Sequence, residues 1–276
     1  TTLGGVRVVG FTDETPLAEL AVEQGIEGVN PNDLTSLRLL HARLFELLAE
    51  ARPRVVASDV FFRSTSKFDN ELASGIEALS RAGIPVVLGV PQWWADETGI
   101  PQLSPALTPL ARWGCVVAGF DTVPWQVQLV LRRGPRDPLP SLALASVAAC
   151  RHPDADASYQ IDEPNQQVHI RYHPSGNSQV STKAWLAESD ELPLSILTRA
   201  ALGSAMASAP GVIADDLIGI YLIHLPPEKV LLDSTLSYER VFRATPEERW
   251  QWFNGRVVVI GNLKRDVDQH RYGPND

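Results

Sequence analysis

The sequence predicts an α/β fold: a mostly parallel, mixed central sheet with helices on both faces, in one large domain. Three observations carry that expectation. Short β-branched runs suited to buried strands alternate with stretches of helical periodicity over the first 120 residues. Consecutive parallel strands need a crossover of helix length, and the alternation supplies one each time. The length of 276 residues is enough to bury a self-sufficient core without disulfide or metal staples.

The elements follow in order. Gly5 to Phe11 contains the run VRVVG and ends in Thr12, Asp13 and Glu14, a first strand. A polar loop with Asn30, Pro31, Asn32 and Asp33 comes next. Leu37, Leu40, Leu44, Leu47 and Leu48 then recur at helical spacing until Pro53, which lacks the N–H that a helix needs. Val55 to Phe61 reads as a second strand, interrupted by Ser58 and Asp59. Phe68, Leu72, Ile76 and Leu79 mark a second helix, stopped by Gly83 and Pro85. Pro85 to Val90 is a third strand, Leu107 to Trp113 a short helix ended by Gly114, and Cys115 to Phe120 a fourth strand running into Asp121.

Gln126 to Arg132 differs, because Val127, Leu129 and Leu131 alternate with polar residues in the period of a half-exposed strand, which predicts an antiparallel strand near an edge. Ser141 to Cys150 reads as a helix, and Val168 to Tyr172 as a strand with His169, Arg171 and His173 on one face. Pro174 to Asp216 gives no assignable element. Ile218 to His224 is a strand candidate, Pro246 to Trp252 a helix, and Arg256 to Ile260 a β-branched strand.

Composition narrows the function. Thirty-three acidic against 24 basic residues give a formal charge of −9, the wrong sign for tracking a phosphate backbone, so no nucleic-acid partner is expected. Hydrophobic residues at 44% and charged residues at 21% are ordinary globular values. No apolar stretch is long enough to span a bilayer, and the run near Ile213 is broken by Asp215 and Asp216. The single methionine is Met206, so Thr1 is read as the start of a piece of something longer. Cys115 and Cys150 can form at most one bridge, and two inert thiols are the expectation.

Several predicted strands end at or near an acid: Asp13, Asp59 and Asp121, with Asp266 and Asp268 after the last strand. In an open α/β sheet, ligands sit outside the carboxyl ends of the strands, so these acids are candidates to converge on a cation or a cationic ligand. Each is equally a residue favoured in loops and helix caps. No glycine-rich phosphate loop, GxSxG, HExxH or CxxC occurs, and the six histidines are scattered. Trp93 and Trp94, after Pro91, are candidates for a pocket or an interface, or for plain packing.

Taken in order, the motifs resemble those of the type-two CHASE domain, a family of extracytoplasmic sensory domains attached to bacterial cyclases, histidine kinases and serine/threonine kinases. The family's opening strand leads to an acid, as Val6 to Asp13 do here. Its segment P-x-V-I-x-x-D-x-x-F is similar to Pro53, Val55, Val56, Asp59 and Phe62, and its D-x-x-L-A-x-A-L to Asp69, Leu72, Ala73, Ala78 and Leu79. The glycine, strand and apolar run at Gly83 to Gly89 also fit. Further on, Gly114 to Asp121, Leu131 to Arg133 and the S-L-A-L-A of Ser141 to Ala145 fit the family order. S-Y-x-x-V is matched by Ser237, Tyr238 and Val241, and G-K-I-V-L-I-G by Gly255 to Gly261, with Arg256 for the lysine. The final acid is Asp268, and the closing T-P is reduced to Gly273 and Pro274. The family's glycine after Asp121 is missing in Val123 to Val127, which weakens a ligand role for Asp121, and about 174–216 does not align and is read as a candidate insertion.

The resemblance implies a single extracytoplasmic sensory domain over residues 1–276, in a plasma-membrane protein with attached transmembrane helices and a cytoplasmic output domain. A small-molecule or ion ligand is implied without being named, and so is a homodimer. No cofactor is assigned and no catalytic residue is expected. The alternative is a metal-dependent hydrolase that uses the strand-end aspartates Asp13, Asp59 and Asp121. A third reading is a scaffold that assembles partners.

Overall fold

The structure, a computed structural model, describes residues 5–62, 65–91, 103–116, 126–131, 139–162, 167–174, 189–193, 217–222 and 228–262. By internal contacts the chain divides into two compact units, the first comprising Thr1–Gly89, Gln102–Arg112 and Pro226–Gln269, and the second Val90–Pro101, Trp113–Leu225 and His270–Asp276.

The first unit is built on parallel strands. β1 (Val6–Phe11) pairs with β12 (Val257–Asn262), which pairs with β2 (Val55–Ser58), which pairs with β3 (Val86–Pro91). On its other side β1 pairs with the three-residue β11 (Thr235–Ser237). The full sheet has six strands in the order β11-β1-β12-β2-β3-β4, with β4 at Arg112–Val116. Register is complete along the centre: Val6 faces Val257, Val9 faces Ile260 and Phe11 faces Asn262. Val9, Val55, Val56, Val258 and Ile260 are all fully buried, which is why these strands carry apolar residues at nearly every position.

Helices α1 (Leu17–Glu23), α2 (Leu37–Ala51), α3 (Asp69–Arg81), α5 (Glu228–Ser234), α6 (Tyr238–Arg243) and α7 (Pro246–Phe253) complete this unit. α2 packs against both α3 and α7. Its leucine stripe is buried from Leu37 to Leu48, and it ends at Arg52, whose left-handed φ of 56° turns the chain ahead of Pro53. Contact between α2 and α3 is close because Gly75 presents no side chain: a Cβ there would lie 2.6 Å from the Ala42 carbonyl oxygen. α7 starts with a capping box in which the Thr245 hydroxyl accepts from the Glu248 N–H and the Glu248 carboxylate accepts from the Thr245 N–H. Arg243 of α6 bonds Glu19 and Glu23, holding α1 against α6.

The second unit holds two antiparallel sheets. One has the order β10-β5-β6, from Leu217–Leu222, Gln126–Leu131 and Leu139–Pro140; the other has the order β7-β8-β9, from Ala155–Asp162, Gln167–Pro174 and Ser189–Pro193. α4 (Leu142–Arg151) is capped by the Ser141 hydroxyl, which accepts from the Leu144 N–H at 3.1 Å. Leu144 and Ala148 of α4 form one cluster with Ala155, Val168, Ile170 and Tyr172. His169, Arg171 and His173 therefore lie on the opposite face of β8, as their alternation predicts.

Two expectations are corrected. The helix expected over Leu107 to Trp113 is a run of turns, and the strand begins at Arg112. Pro109 has no N–H to continue a helical ladder, and Gly114 is not a helix stop but a strand residue whose Cβ would lie 2.6 Å from the Leu142 Cα. The alternating strand β5 is antiparallel as expected, but it is the central strand of its own sheet and not near an edge. Neither Cys115 nor Cys150 forms a disulfide.

Candidate functional site

β1 and β2 run parallel on either side of β12, so the loops that follow them leave the same edge of the sheet. Asp13 lies two residues beyond the end of β1 and is exposed; Asp59 directly follows β2 and is half-buried. Two strand spacings separate their strands, roughly 10 Å. The Asp59 N–H donates to the Ile260 carbonyl at 2.7 Å, which ties the start of its loop to β12. Asp121, Asp266, Asp268, Trp93 and Trp94 lie outside the described residues.

A buried polar network underlies this edge, built where α2 and α3 begin. Asp69 opens α3, where a carboxylate is favoured by the helix dipole, and is 6% exposed. Its Oδ1 accepts from the Arg38 guanidinium, while Oδ2 accepts from the Ser104 hydroxyl at 2.5 Å and from the Ser66 N–H at 2.9 Å. Arg38 sits one turn before His41 on α2, and its guanidinium lies 5.8 Å from the centre of the Phe62 ring. His41 meets Phe62 edge-on at 5.4 Å and hydrogen-bonds the Tyr238 hydroxyl through Nδ1 at 2.9 Å. Phe11, the last residue of β1, packs on Tyr238 at 5.2 Å.

The electrostatics of the histidine–tyrosine pair agree with its geometry. Burial, aided by the nearby Arg38 charge, lowers the His41 pKa to about 4. Burial alone raises that of Tyr238 well above its ordinary value. Both rings are therefore neutral near pH 7, and one hydrogen bond joins the tyrosine hydroxyl to the imidazole Nδ1.

A pH dependence follows. The folded-state pKa of His41 is below its unfolded value near 6.5, so the unfolded chain binds the extra proton first. The contribution of His41 to stability is present above pH 6.5 and is lost as pH falls toward 4, by about 3 kcal/mol over that window. Urea unfolding at pH 7.5, 6, 5 and 4.5 checks this: His41→Gln is expected to flatten the wild-type slope, and equal slopes in both proteins would contradict it.

Sequence reasoning named Phe62, Asp69 and Tyr238 as motif residues without assigning them to a site, and it missed Arg38, His41 and Ser104. The signal for His41 was present, since it falls on the apolar stripe four residues after Leu37 and three before Leu44. Ser104 carried no pattern of its own. Among the described residues, no group of three or more His, Cys, Asp and Glu could hold a metal ion.

The loops that carry Asp13 and Asp59 and the buried polar network thus both lie at the carboxyl ends of parallel strands. The family model for the CHASE2 domain matches residues 8–276. The chain belongs to the CHASE2 family of extracytoplasmic sensory domains, sensory modules of signalling proteins. No curated protein and no solved structure matches it. Among the described residues, no helix is long and apolar enough to cross a membrane.

Proposed function

We propose that this chain is the ligand-sensing input module of a membrane-bound cyclase, histidine kinase or serine/threonine kinase, working as one sensory domain over residues 1–276. The observation that carries the reading is the meeting of family motif residues in one buried network at the carboxyl edge of the sheet: Phe62, Asp69 and Tyr238 come from three separate segments. A small-molecule or ion ligand is the occupant expected there, with Asp13 and Asp59 the candidates to hold it among the described residues. Binding shifts a two-state equilibrium by its differential affinity for the two states. β12 is the element suited to carry the change onward, because it is hydrogen-bonded on both sides by the strands that bear Asp13 and Asp59. Trp93 and Trp94 are assigned to a homodimer contact.

The test of membrane attachment is to sequence the parent gene on both sides of this segment. One apolar span of about 20 residues upstream, with several spans and a cyclase or kinase downstream, is the expected result. Soluble flanks without an output domain would overturn the reading.

A further inference from the structure

The opposite end of the same unit carries a different charge. We propose that Arg7, Arg240 and Arg256 form an oxyanion site at the amino end of the sheet, one that takes a phosphate-class anion, either free or as a lipid headgroup.

Arg7 and Val258 face each other across β1 and β12, so Arg256, two residues before Val258, lies on the same side of the sheet as Arg7. That side is the one on which Val9, Phe11, Val258 and Ile260 are buried. Its amino end therefore presents two neighbouring guanidinium groups where the rest of the face is apolar. Arg240 lies with its guanidinium over the Trp252 ring, 4.8 Å from the centroid. Stacking occupies the flat face of that group and leaves its N–H edge available to a ligand. None of the three arginines forms an ion pair with a carboxylate among the described residues, in a chain that carries 33 acids.

Arg7 Nη1 is shielded from solvent and has no hydrogen-bond partner among the described residues. A buried guanidinium N–H without an acceptor is a rare and costly arrangement, and an acceptor brought by a ligand resolves it. The Arg7 pKa is lowered by burial and by the charges of Arg256 and Arg240, as expected of cations gathered without a counter-ion. A planar guanidinium bonds two oxygens of one phosphate at once, so three of them match a tetrahedral phosphate better than a single carboxylate. The site is independent of the acids at the carboxyl edge, and its test involves neither Asp13 nor Asp59.

The experiment titrates the 276-residue chain with inorganic phosphate at constant ionic strength, reading the thermal midpoint and the binding isotherm. Sedimentation with vesicles of phosphatidylglycerol or phosphatidylcholine is run alongside. Phosphate is expected to raise the midpoint more than chloride, and Arg256→Gln to weaken phosphate binding about tenfold, the loss of a charge-assisted pair. Arg7→Gln is expected to do the same, while Arg81→Gln, an exposed arginine on α3, leaves binding unchanged. Binding to phosphatidylglycerol vesicles that is lost in Arg256→Gln assigns the site to lipid headgroups; phosphate binding without vesicle binding assigns it to a free anion. A phosphate response no greater than that of chloride, or one that survives both Arg240→Gln and Arg256→Gln, overturns the proposal. These two variants also keep the test open if Arg7→Gln does not fold.

Discussion

Asp69→Ala is expected to destabilise the protein by about 3 to 5 kcal/mol, which places it among the most damaging single substitutions available. The reason is what the substitution leaves behind. The Arg38 and Asp69 side chains are 5% and 9% exposed, so removing the carboxylate takes away a charge that a guanidinium held out of water bonds directly. The Ser104 hydroxyl and the Ser66 N–H lose their acceptor in the same step. Breaking such a pair is far more harmful than replacing it, so Arg38→Met combined with Asp69→Leu is expected to recover most of the loss. Urea unfolding of the single and double variants measures both effects. A loss below about 1 kcal/mol in Asp69→Ala would mean that the pair is solvated and not buried as described.

Phe62→Ala is expected to cost about 3 to 5 kcal/mol, through lost burial and the cavity left behind. The ring is 2% exposed, 5.8 Å from the Arg38 guanidinium and edge-on to the His41 imidazole at 5.4 Å. It also follows Asp59 by three residues, so the cavity opens behind the loop assigned to ligand capture. A second effect separates this packing role from a general loss of fold. Water reaching His41 is expected to return its pKa from about 4 toward 6.5, while Phe62→Leu keeps most of the volume and leaves the pKa low. NMR titration of the His41 ring reads the difference, and an unchanged titration in Phe62→Ala would remove Phe62 from the account of why His41 stays neutral.

The parts of the fold legible in the sequence were those whose residues repeat a period over enough length. α2, with leucines from Leu37 to Leu48, and β12, with three consecutive valines and an isoleucine, are such elements. α1, β11 and α6 span seven, three and six residues, too few for a period to show, and they are held by contacts from far along the chain. β11 is a strand because its backbone pairs with Val8 to Gly10, which no local pattern reveals. β7 does alternate, but its inward positions include Ala155 and Ala157, whose small side chains give little contrast with Asp156 and Ser158. The residues around Leu107 have the apolar spacing of a helix, but the prolines at 105 and 109 break its hydrogen-bond ladder into turns.

The site was legible only in part for a related reason. Strand-end acids such as Asp13 and Asp59 announce themselves by position. A buried network is made by partners distant in sequence: His41 and Tyr238 are 197 residues apart, and Asp69 and Ser104 are 35 apart. Motif resemblance marked Phe62, Asp69 and Tyr238 as worth keeping, and the fold supplies the reason that they belong together.

The central claim is that the carboxyl edge of the sheet reads a ligand and passes the result to an output domain. The most direct measurement is the output activity of the membrane-embedded parent protein across a panel of cations and small molecules that includes every compound shown to raise the domain's thermal midpoint. The wild type is compared with Asp59→Asn, which removes a charge from the edge while keeping the size of the side chain. The account predicts that at least one compound that stabilises the domain changes output, and that Asp59→Asn shifts the concentration needed by about tenfold or more. Output that stays constant while compounds bind, or that responds identically in Asp59→Asn, contradicts it.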